Sequence, residues 1–255
     1  MLHTPAAQAV LGQPPQPRWQ VAALGVTHGF PQQNFLPLPA VKGEIEGIVG
    51  AQLLPGQAYL DERFTRAQLE RSLGSPVLHI ASHFRFVPGS DASFLLLGDG
   101  SSLTLGQVRT ELPRLDDVDL LTLSACDTAT GGGRRENGLE VEGLGVLAQQ
   151  QGAKAVLATL WPVADSSTGS LMQGFYRNRQ VAGMNKAEAL RQAQISMLRG
   201  KAGTQAGDDV RGAARSDAIP GSVGAGTAPT YATNPNAPHA HPFFWAPFIL
   251  MGNWL

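Results

Sequence analysis

Two residues that can act together as a nucleophile and its base follow two separate apolar segments of the sequence. His83 comes directly after the segment PVLHIAS, residues 76–82, and Cys126 stands two positions after the segment VDLLTLS, residues 118–124. A thiol with an ordinary pKa of about 8.5 is only a few per cent ionised at neutral pH, so it needs a base to become a thiolate. An imidazole at hydrogen-bonding distance supplies that base and can later protonate a leaving amine.

The surroundings of Cys126 favour an exposed and reactive thiol. It is the only cysteine of the chain, which excludes an intramolecular disulfide and a four-cysteine zinc site. A lone cysteine is usually a buried structural thiol, and this stays the alternative. Cys126, however, follows an apolar segment and precedes Asp127, Thr128 and the glycine run 131–133. Polar and glycine-rich neighbours of this kind are typical of a loop.

The two residues can meet only if the apolar segments before them are neighbouring strands of one sheet. Short apolar runs alternate with helix-like stretches, which is typical of a mainly parallel sheet covered by helices on both faces. We therefore expect an α/β fold, a three-layer αβα sandwich, with functional groups beyond the carboxyl ends of the strands. The predicted strands are residues 21–26, 76–82, 118–124, 154–161 and 243–250, with a hairpin turn at residues 98–100, and the predicted helices are residues 40–52, 64–72, 139–151, 166–179 and 186–198.

A single domain is expected to account for most of the chain. Residues 1–18 are rich in Pro, Gln and Ala and are expected to form a flexible linker, so the predicted domain covers residues 19–255. Within it, residues 200–240 have few large apolar side chains, and we expect a disordered insertion before the last strand. The insertion carries Arg211 and Arg215, so proteolytic processing there is a regulatory hypothesis.

Charge and composition exclude several classes of function. The 255 residues include 19 Lys and Arg against 20 Asp and Glu, a net charge of −1 that gives no basis for binding nucleic acid or an anionic membrane. No run approaches the roughly 18 apolar residues of a membrane-spanning helix, and the N-terminus lacks the pattern of a secretory signal. We expect a cytoplasmic protein without a metal or another cofactor.

Three further motifs have simpler explanations than a catalytic or binding role. The tripeptide THG, residues 27–29, also follows an apolar run and makes His28 a second candidate for the base, but a surface or structural histidine is favoured. His79 and His83 are spaced like a helical metal pair, yet the segment is a predicted strand and lacks the glutamate of zinc proteases. His79 is therefore expected in the core. The glycine run 131–133 lacks the Lys and Ser or Thr of a phosphate-binding loop.

A series of motifs occurs along the whole chain in the order of a known family. They are HIASH, DLLTLSACDT, GAKAVLATLWPVADSST, MQGFY, ALRQAQ and HPFFWAPFILMGNW. Together they resemble the CHAT family of caspase-like domains, which are often attached to TPR repeats and are related to separases. The resemblance covers residues 21–254, apart from residues 200–240. It implies a caspase–hemoglobinase fold and a bacterial cysteine endopeptidase that acts on proteins or peptides and is regulated by a TPR segment, another partner or processing.

The resemblance implies roles for residues after both strands. Cys126 would be the nucleophile and His83 the base, and their separation of 43 residues is close to the roughly 50 residues of caspases. The backbone N–H groups of Cys126 and Phe84 would form the oxyanion hole. Many relatives have glycine after the histidine, where this chain has Phe84. This departure leaves a second hypothesis open, a catalytically silent scaffold that binds a partner protein in the same groove.

Substrate specificity is implied by a further part of the resemblance. Separases have a stretch similar to LWPVAD, residues 160–165, in which the aspartate reads a basic residue before the cut bond. The similarity implies that Asp165 lies in the substrate pocket. We also expect Asp127, directly after the nucleophile, to add negative potential and Ser124 to line the pocket wall. The similarity therefore predicts cleavage after Arg or Lys. The alternative is that Asp165 caps the helix that begins near residue 166.

Overall fold

The computed structural model describes residues 19–49, 53–85, 91–125, 137–160, 163, 165–180, 184–201 and 234–255. Its strands are β1 (Val21–Gly25), β2 (Gly56–Leu60), β3 (Val77–Ser82), β4 (Phe84–Arg85), β5 (Phe94–Leu96), β6 (Ser102–Thr104), β7 (Leu120–Ala125), β8 (Ala155–Thr159) and β9 (Phe248–Gly252). Its helices are α1 (Ala40–Ile48), α2 (Arg66–Ser72), α3 (Leu105–Thr110), α4 (Asn137–Gln150), α5 (Asp165–Gln180) and α6 (Lys186–Leu198). Within these residues, no helix is long and apolar enough to cross a membrane.

The central sheet contains the two strands that precede His83 and Cys126. In the described part of the chain it has six strands, in the order β2-β1-β3-β7-β8-β9. The strands from β2 to β8 run parallel to their neighbours, while β9 is antiparallel to β8. The prediction of a mainly parallel sheet is thus confirmed. The parallel strands all end at one edge, which we call the carboxyl edge.

Helices cover both faces of the sheet because its strands are apolar on both sides. In β3, Leu78 and Ile80 belong to one buried cluster, whereas Val77 and Ala81 belong to another. Apolar side chains of α2, α3 and α4 complete the first cluster, and those of α1, α5 and α6 complete the second. Full burial of one Leu or Ile side chain contributes about 1.5–3 kcal/mol. Because helices pack on both faces of the sheet, the domain is a three-layer αβα sandwich, as predicted.

A small antiparallel sheet, β4-β5-β6, continues the chain after β3. The predicted hairpin turn at residues 98–100 connects β5 and β6, and Gly100 adopts a φ of 81° that favours glycine. Ser82, at the end of β3, donates a hydrogen bond from its Oγ to the backbone oxygen of Leu96, at 2.6 Å. This bond holds the small sheet against the end of β3, next to His83.

Several elements differ from the sequence prediction, and helix α3 and strand β4 are among those that were not predicted. The edge strand β2 was not predicted, because its sequence GQAYL is short, begins with glycine and is partly exposed. The last strand begins at Phe248 rather than at residue 243, since residues 242–244 form a short 3-10 turn and Pro247 precedes the strand. Helix α1 ends at Ile48 rather than at residue 52, because Val49 adopts an extended conformation.

The chain leaves and re-enters the domain at neighbouring points on either side of residues 202–233. Gly200 follows α6 with a φ of 67°, and a Cβ placed on it would lie 2.8 Å from the Cβ of Ala237. Trp245 donates from its indole N–H to the backbone oxygen of Ala240, at 3.0 Å. Residues 200–201 and 234–240 of the predicted insertion are thus among the described residues, and the two stretches contact each other. The disorder of the insertion stays a prediction, because residues 202–233 lie outside the described residues, as does the predicted linker.

Replacing residues 202–233 with a short Gly-Ser linker is expected to leave Tm nearly unchanged. The two ends of the segment already lie close together, and the entropy of loop closure depends only weakly on loop length. Thermal unfolding followed by circular dichroism measures the effect. A fall in Tm of more than about 5 °C, which corresponds to more than about 1 kcal/mol, would show instead that the segment packs against the domain.

Candidate active site

The strand register brings the residues before His83 and Cys126 to the same point of the carboxyl edge. β3 pairs in parallel with β7, and Ser82 lies opposite Ala125. His83 directly follows Ser82, and Cys126 directly follows Ala125. Cys126 and Asp127 lie outside the described residues, so the position of the nucleophile itself stays a prediction.

His83 is held by the backbone of a neighbouring loop. Its ring is buried, and its Nε2 lies 2.8 Å from the backbone oxygen of Leu36. A carbonyl oxygen can only accept a hydrogen bond, so Nε2 carries a proton and donates it. In the neutral ring, Nδ1 then has the lone pair that can take up a proton. The contact with Leu36 therefore assigns the role of proton acceptor to Nδ1.

The loop that supplies this carbonyl group is anchored to the segment after His83. Phe35 packs against the ring of His83, with 4.8 Å between the centroids. The guanidinium of Arg85 lies 4.2 Å from the centroid of Phe35 and donates to the backbone oxygen of Gln33, at 2.6 Å. The sequence prediction missed the parts played by Leu36, Phe35 and Arg85. Any residue type can supply a backbone oxygen, so the sequence gives no sign of the contact with Leu36. The arginine two positions after the histidine was the one sign that the neighbouring loop is anchored there.

Phe84 occupies an ordinary strand conformation that does not require glycine. Its side chain is buried in the apolar cluster that contains Leu95. Phe84 pairs with Leu95 in the small sheet, and the N–H of Leu96 donates to the backbone oxygen of His83, at 2.9 Å. Phe84 and Leu95 are therefore a non-hydrogen-bonded pair, in which each N–H points away from the partner strand. This direction is compatible with the predicted oxyanion-hole role of the Phe84 N–H.

The other predicted pocket residues belong to β7 and to the helix after β8. Ser124 is buried near the end of β7, opposite Ala81. β8 runs parallel to β7 and ends at the same edge with Thr159. α5 begins at Asp165. A carboxylate at the start of a helix interacts favourably with the helix dipole. The side chain of Asp165 lies outside what the structure describes, so its pocket role stays a prediction.

His28, the alternative base, lies after β1 with an exposed side chain and faces a carboxylate. Asp61 accepts hydrogen bonds from the backbone N–H and the hydroxyl of Thr27, both at 2.7 Å, and from the N–H of His28 at 3.3 Å. The Nδ1 of His28 lies 3.6 Å from the same carboxylate. Burial alone would raise the pKa of Asp61, but these hydrogen bonds outweigh it and hold the pKa below its ordinary value. Asp61 thus joins the ends of β1 and β2.

Asp61→Asn is expected to lower the free energy of unfolding by about 1–2 kcal/mol at neutral pH. Asparagine also tolerates the φ of 51° found at Asp61, so the variant removes the charge without new backbone strain. A carboxylate with a lowered pKa stabilises the fold above its unfolded pKa, and this contribution disappears as the pH falls through its folded pKa. Urea unfolding between about pH 7 and pH 3.5 should therefore show the two proteins converging below about pH 4. A difference that does not change with pH would contradict this account.

His79 is a core histidine rather than half of a metal pair. It lies within β3, is fully buried, and its Nδ1 is 3.2 Å from the hydroxyl of Tyr176, as the sequence predicted for a hydrogen-bonded ring in the core. Across the described residues, no group of three or more His, Cys, Asp and Glu side chains could hold a metal ion.

Sequence comparison identifies the family of the chain. The family model of the CHAT domain matches residues 3–253, nearly the whole chain. CHAT domains are a caspase-like family of clan CD, and the mixed α/β sandwich with its mostly parallel six-stranded sheet is consistent with that relationship. No curated protein sequence matches the chain. The chain belongs to the CHAT domain family.

Proposed function

We propose that this CHAT domain is a cysteine endopeptidase in which Cys126 is the nucleophile and His83 the general base. One observation carries the proposal. His83, held through its Nε2 by the oxygen of Leu36, follows Ser82 at the end of β3. The strand partner of Ser82 is Ala125, which precedes the only cysteine of the chain. Neighbouring strands lie about 4.8 Å apart, so this register favours contact between the thiol and the imidazole.

The reaction begins with a proton transfer. Nδ1 of His83 takes the proton from the thiol of Cys126, and the bond from Nε2–H to Leu36 stabilises the resulting imidazolium. The thiolate attacks the carbonyl carbon of the scissile bond, and the N–H groups of Phe84 and Cys126 donate to the oxyanion. His83 then returns its proton to the leaving amine. In the second half, the same ring deprotonates a water molecule that hydrolyses the thioester.

The substrate in this proposal is a protein chain that is cut after Arg or Lys. Asp165 begins α5, which follows β8, and β8 ends at the same edge of the sheet as β7. The proposal puts its carboxylate in a pocket beside the nucleophile. Ser124 lines the wall of that pocket, and Asp127 adds negative potential. A charge-assisted hydrogen bond to a basic side chain is worth about 1.5–3 kcal/mol. Regulation by a TPR segment, by another partner or by processing is proposed on the family resemblance alone.

The alternative function, a silent scaffold, depended on phenylalanine after the histidine. The side chain of Phe84 is buried in the core, and its backbone has a conformation that any residue adopts. Its N–H also points away from β5. These features support the peptidase, because a side chain buried in the core does not obstruct the substrate groove.

A peptide-library cleavage profile tests the proposed function. The purified chain is incubated with the library, and the cut positions are identified by mass spectrometry. We expect cuts after Arg and Lys, and none with Cys126→Ala. If the wild-type chain cuts nothing, and a chloromethyl ketone with a basic side chain does not label Cys126, the peptidase proposal is wrong and the scaffold remains.

A further inference from the structure

A chain of polar side chains crosses the apolar layer on one face of the central sheet. It consists of Glu44 on α1, His79 on β3, Tyr176 on α5 and Thr122 on β7, all of them buried. The surrounding cluster is apolar, with neighbours such as Ile45 on α1. Buried polar groups are costly unless they find partners, so a connected set at this position calls for an explanation.

The four side chains contact one another in sequence. The hydroxyl of Tyr176 lies 2.8 Å from Oγ1 of Thr122 and 3.2 Å from Nδ1 of His79. On the other side of the ring, Nε2 of His79 lies 3.1 Å from Oε1 of Glu44, an ion-pair distance without the alignment of a hydrogen bond.

One assignment of protons is consistent with all of these contacts. The carboxylate of Glu44 faces Nε2 of His79 and therefore favours the proton on that nitrogen. Nδ1 then accepts from the hydroxyl of Tyr176, and Tyr176 accepts from Thr122. Burial raises the pKa of the Tyr176 hydroxyl, although the hydrogen bond with Thr122 opposes this, so the group keeps the proton that it donates.

The Tyr176 hydroxyl bridges two residues that are strand partners. His79 lies opposite Thr122 in the β3–β7 register. Each of them stands four residues before a member of the proposed dyad, His79 before His83 and Thr122 before Cys126. A change in the position of one strand relative to the other at this point would therefore be carried to the carboxyl edge.

The bridge also reaches the helix that begins with the proposed specificity residue. Tyr176 lies on α5, whose first residue is Asp165. The same helix packs against α1, which contributes Glu44. The polar chain thus connects β3, β7 and α5, the three elements that end or begin at the proposed site residues.

We propose that Tyr176 is a positioning residue for the dyad: its hydroxyl ties β3 to β7 behind the site and sets the distance between His83 and Cys126. The proposal rests on the peptidase function proposed above. Proton transfer and nucleophilic attack need the reacting groups within a few tenths of an ångström of the productive geometry, and a misplacement of about 1 Å can cost about 100-fold in rate. Loss of the bridge therefore acts on catalysis without removing any group that touches the substrate.

Tyr176→Phe tests this role, because it removes only the hydroxyl. Leu171→Val serves as the control, since Leu171 is also fully buried on α5 but has no hydrogen-bonding group. For each protein we measure Tm, kcat and KM on a peptide with a basic residue, and the nitrogen-15 NMR signals of the His83 ring, which report its tautomer. Thr122→Ser and Thr122→Val provide a second pair, in which the serine keeps the hydroxyl.

We expect Tyr176→Phe and Thr122→Val to lower kcat about ten-fold with little change in KM, and to shift the His83 signals. Leu171→Val lowers Tm alone, and Thr122→Ser keeps kcat close to that of the wild type. If Tyr176→Phe changes only Tm, the positioning role is wrong and the hydroxyl is merely structural.

The NMR signals separate this inference from the proposed function. If the wild-type chain proves inactive, the peptidase proposal fails, but the NMR signals still test whether Tyr176 influences His83. A shift of the His83 signals in Tyr176→Phe and not in Leu171→Val supports the link. Unchanged signals in both variants overturn it.

Discussion

Cys126→Ala is expected to abolish peptide cleavage, and His83→Gln is expected to lower kcat/KM by about 100- to 10,000-fold. Alanine removes the only thiol of the chain, and no other group can form the thioester. Glutamine keeps much of the volume packed against Phe35 and can still donate to the oxygen of Leu36, but it cannot take up a proton. Steady-state kinetics on a peptide selected from the library measures both effects.

His28→Ala is the matched control for the loss of a histidine at the same edge of the sheet. Its side chain is 65% exposed and lies beside Asp61, so we expect kcat/KM to change by less than about three-fold, the effect of well under 1 kcal/mol. A folded His28→Ala protein without activity, together with an active His83→Gln protein, would show that the base has been assigned to the wrong histidine.

Asp165→Asn is expected to remove a preference for basic residues before the cut bond. In the wild-type chain, a carboxylate that faces Arg or Lys should favour them over neutral residues by about ten- to over a hundred-fold, the equivalent of about 1.5–3 kcal/mol. Asparagine has nearly the same shape but no charge. The ratio of kcat/KM for two peptides that differ only in Arg or Gln at that position measures the preference.

Asp116→Asn is the control for the loss of one negative charge. Asp116 precedes β7, at the edge of the sheet opposite the site, in an exposed ion pair with Arg114 at 2.9 Å. Exposed pairs contribute little, so neither the preference nor Tm should change measurably. If the wild-type chain cuts equally well after Arg and Gln, Asp165 has no specificity role and serves only the first turn of α5.

The layered fold could be predicted because each of its core strands carries its own signal. The strands before His83 and Cys126 are apolar on consecutive positions, which is typical of strands in a sheet that is buried on both faces. The starts of two helices also have signals in the nearby sequence. Thr65 caps α2 by accepting a hydrogen bond from the N–H of Gln68, and Asn185 caps α6 by accepting one from the N–H of Glu188. The edge strand β2 has no such signal, because its stability comes from pairing with β1 rather than from its own composition.

The surroundings of the site depend on contacts between distant parts of the chain, and residue types alone do not reveal them. The oxygen of Leu36 reaches His83 across 47 residues, and any residue could supply that backbone oxygen. Tyr176 contacts Thr122 across 54 residues, and the predicted helix over residues 166–179 does not indicate which residue its hydroxyl contacts. Arg85 could be noticed beside His83, but its place over Phe35 depends on how the loop folds.

The rate at which iodoacetamide modifies the chain, measured against pH, tests the proposed dyad most directly. Because Cys126 is the only cysteine, every modified thiol is Cys126. We predict that the wild-type chain is modified rapidly at neutral pH, because the midpoint of its pH profile lies well below the value of about 8.5 for an ordinary thiol. In His83→Gln, the midpoint should return to about 8.5. The same midpoint near pH 8.5 in both proteins would contradict the dyad, because it would show that His83 does not act on the thiol of Cys126.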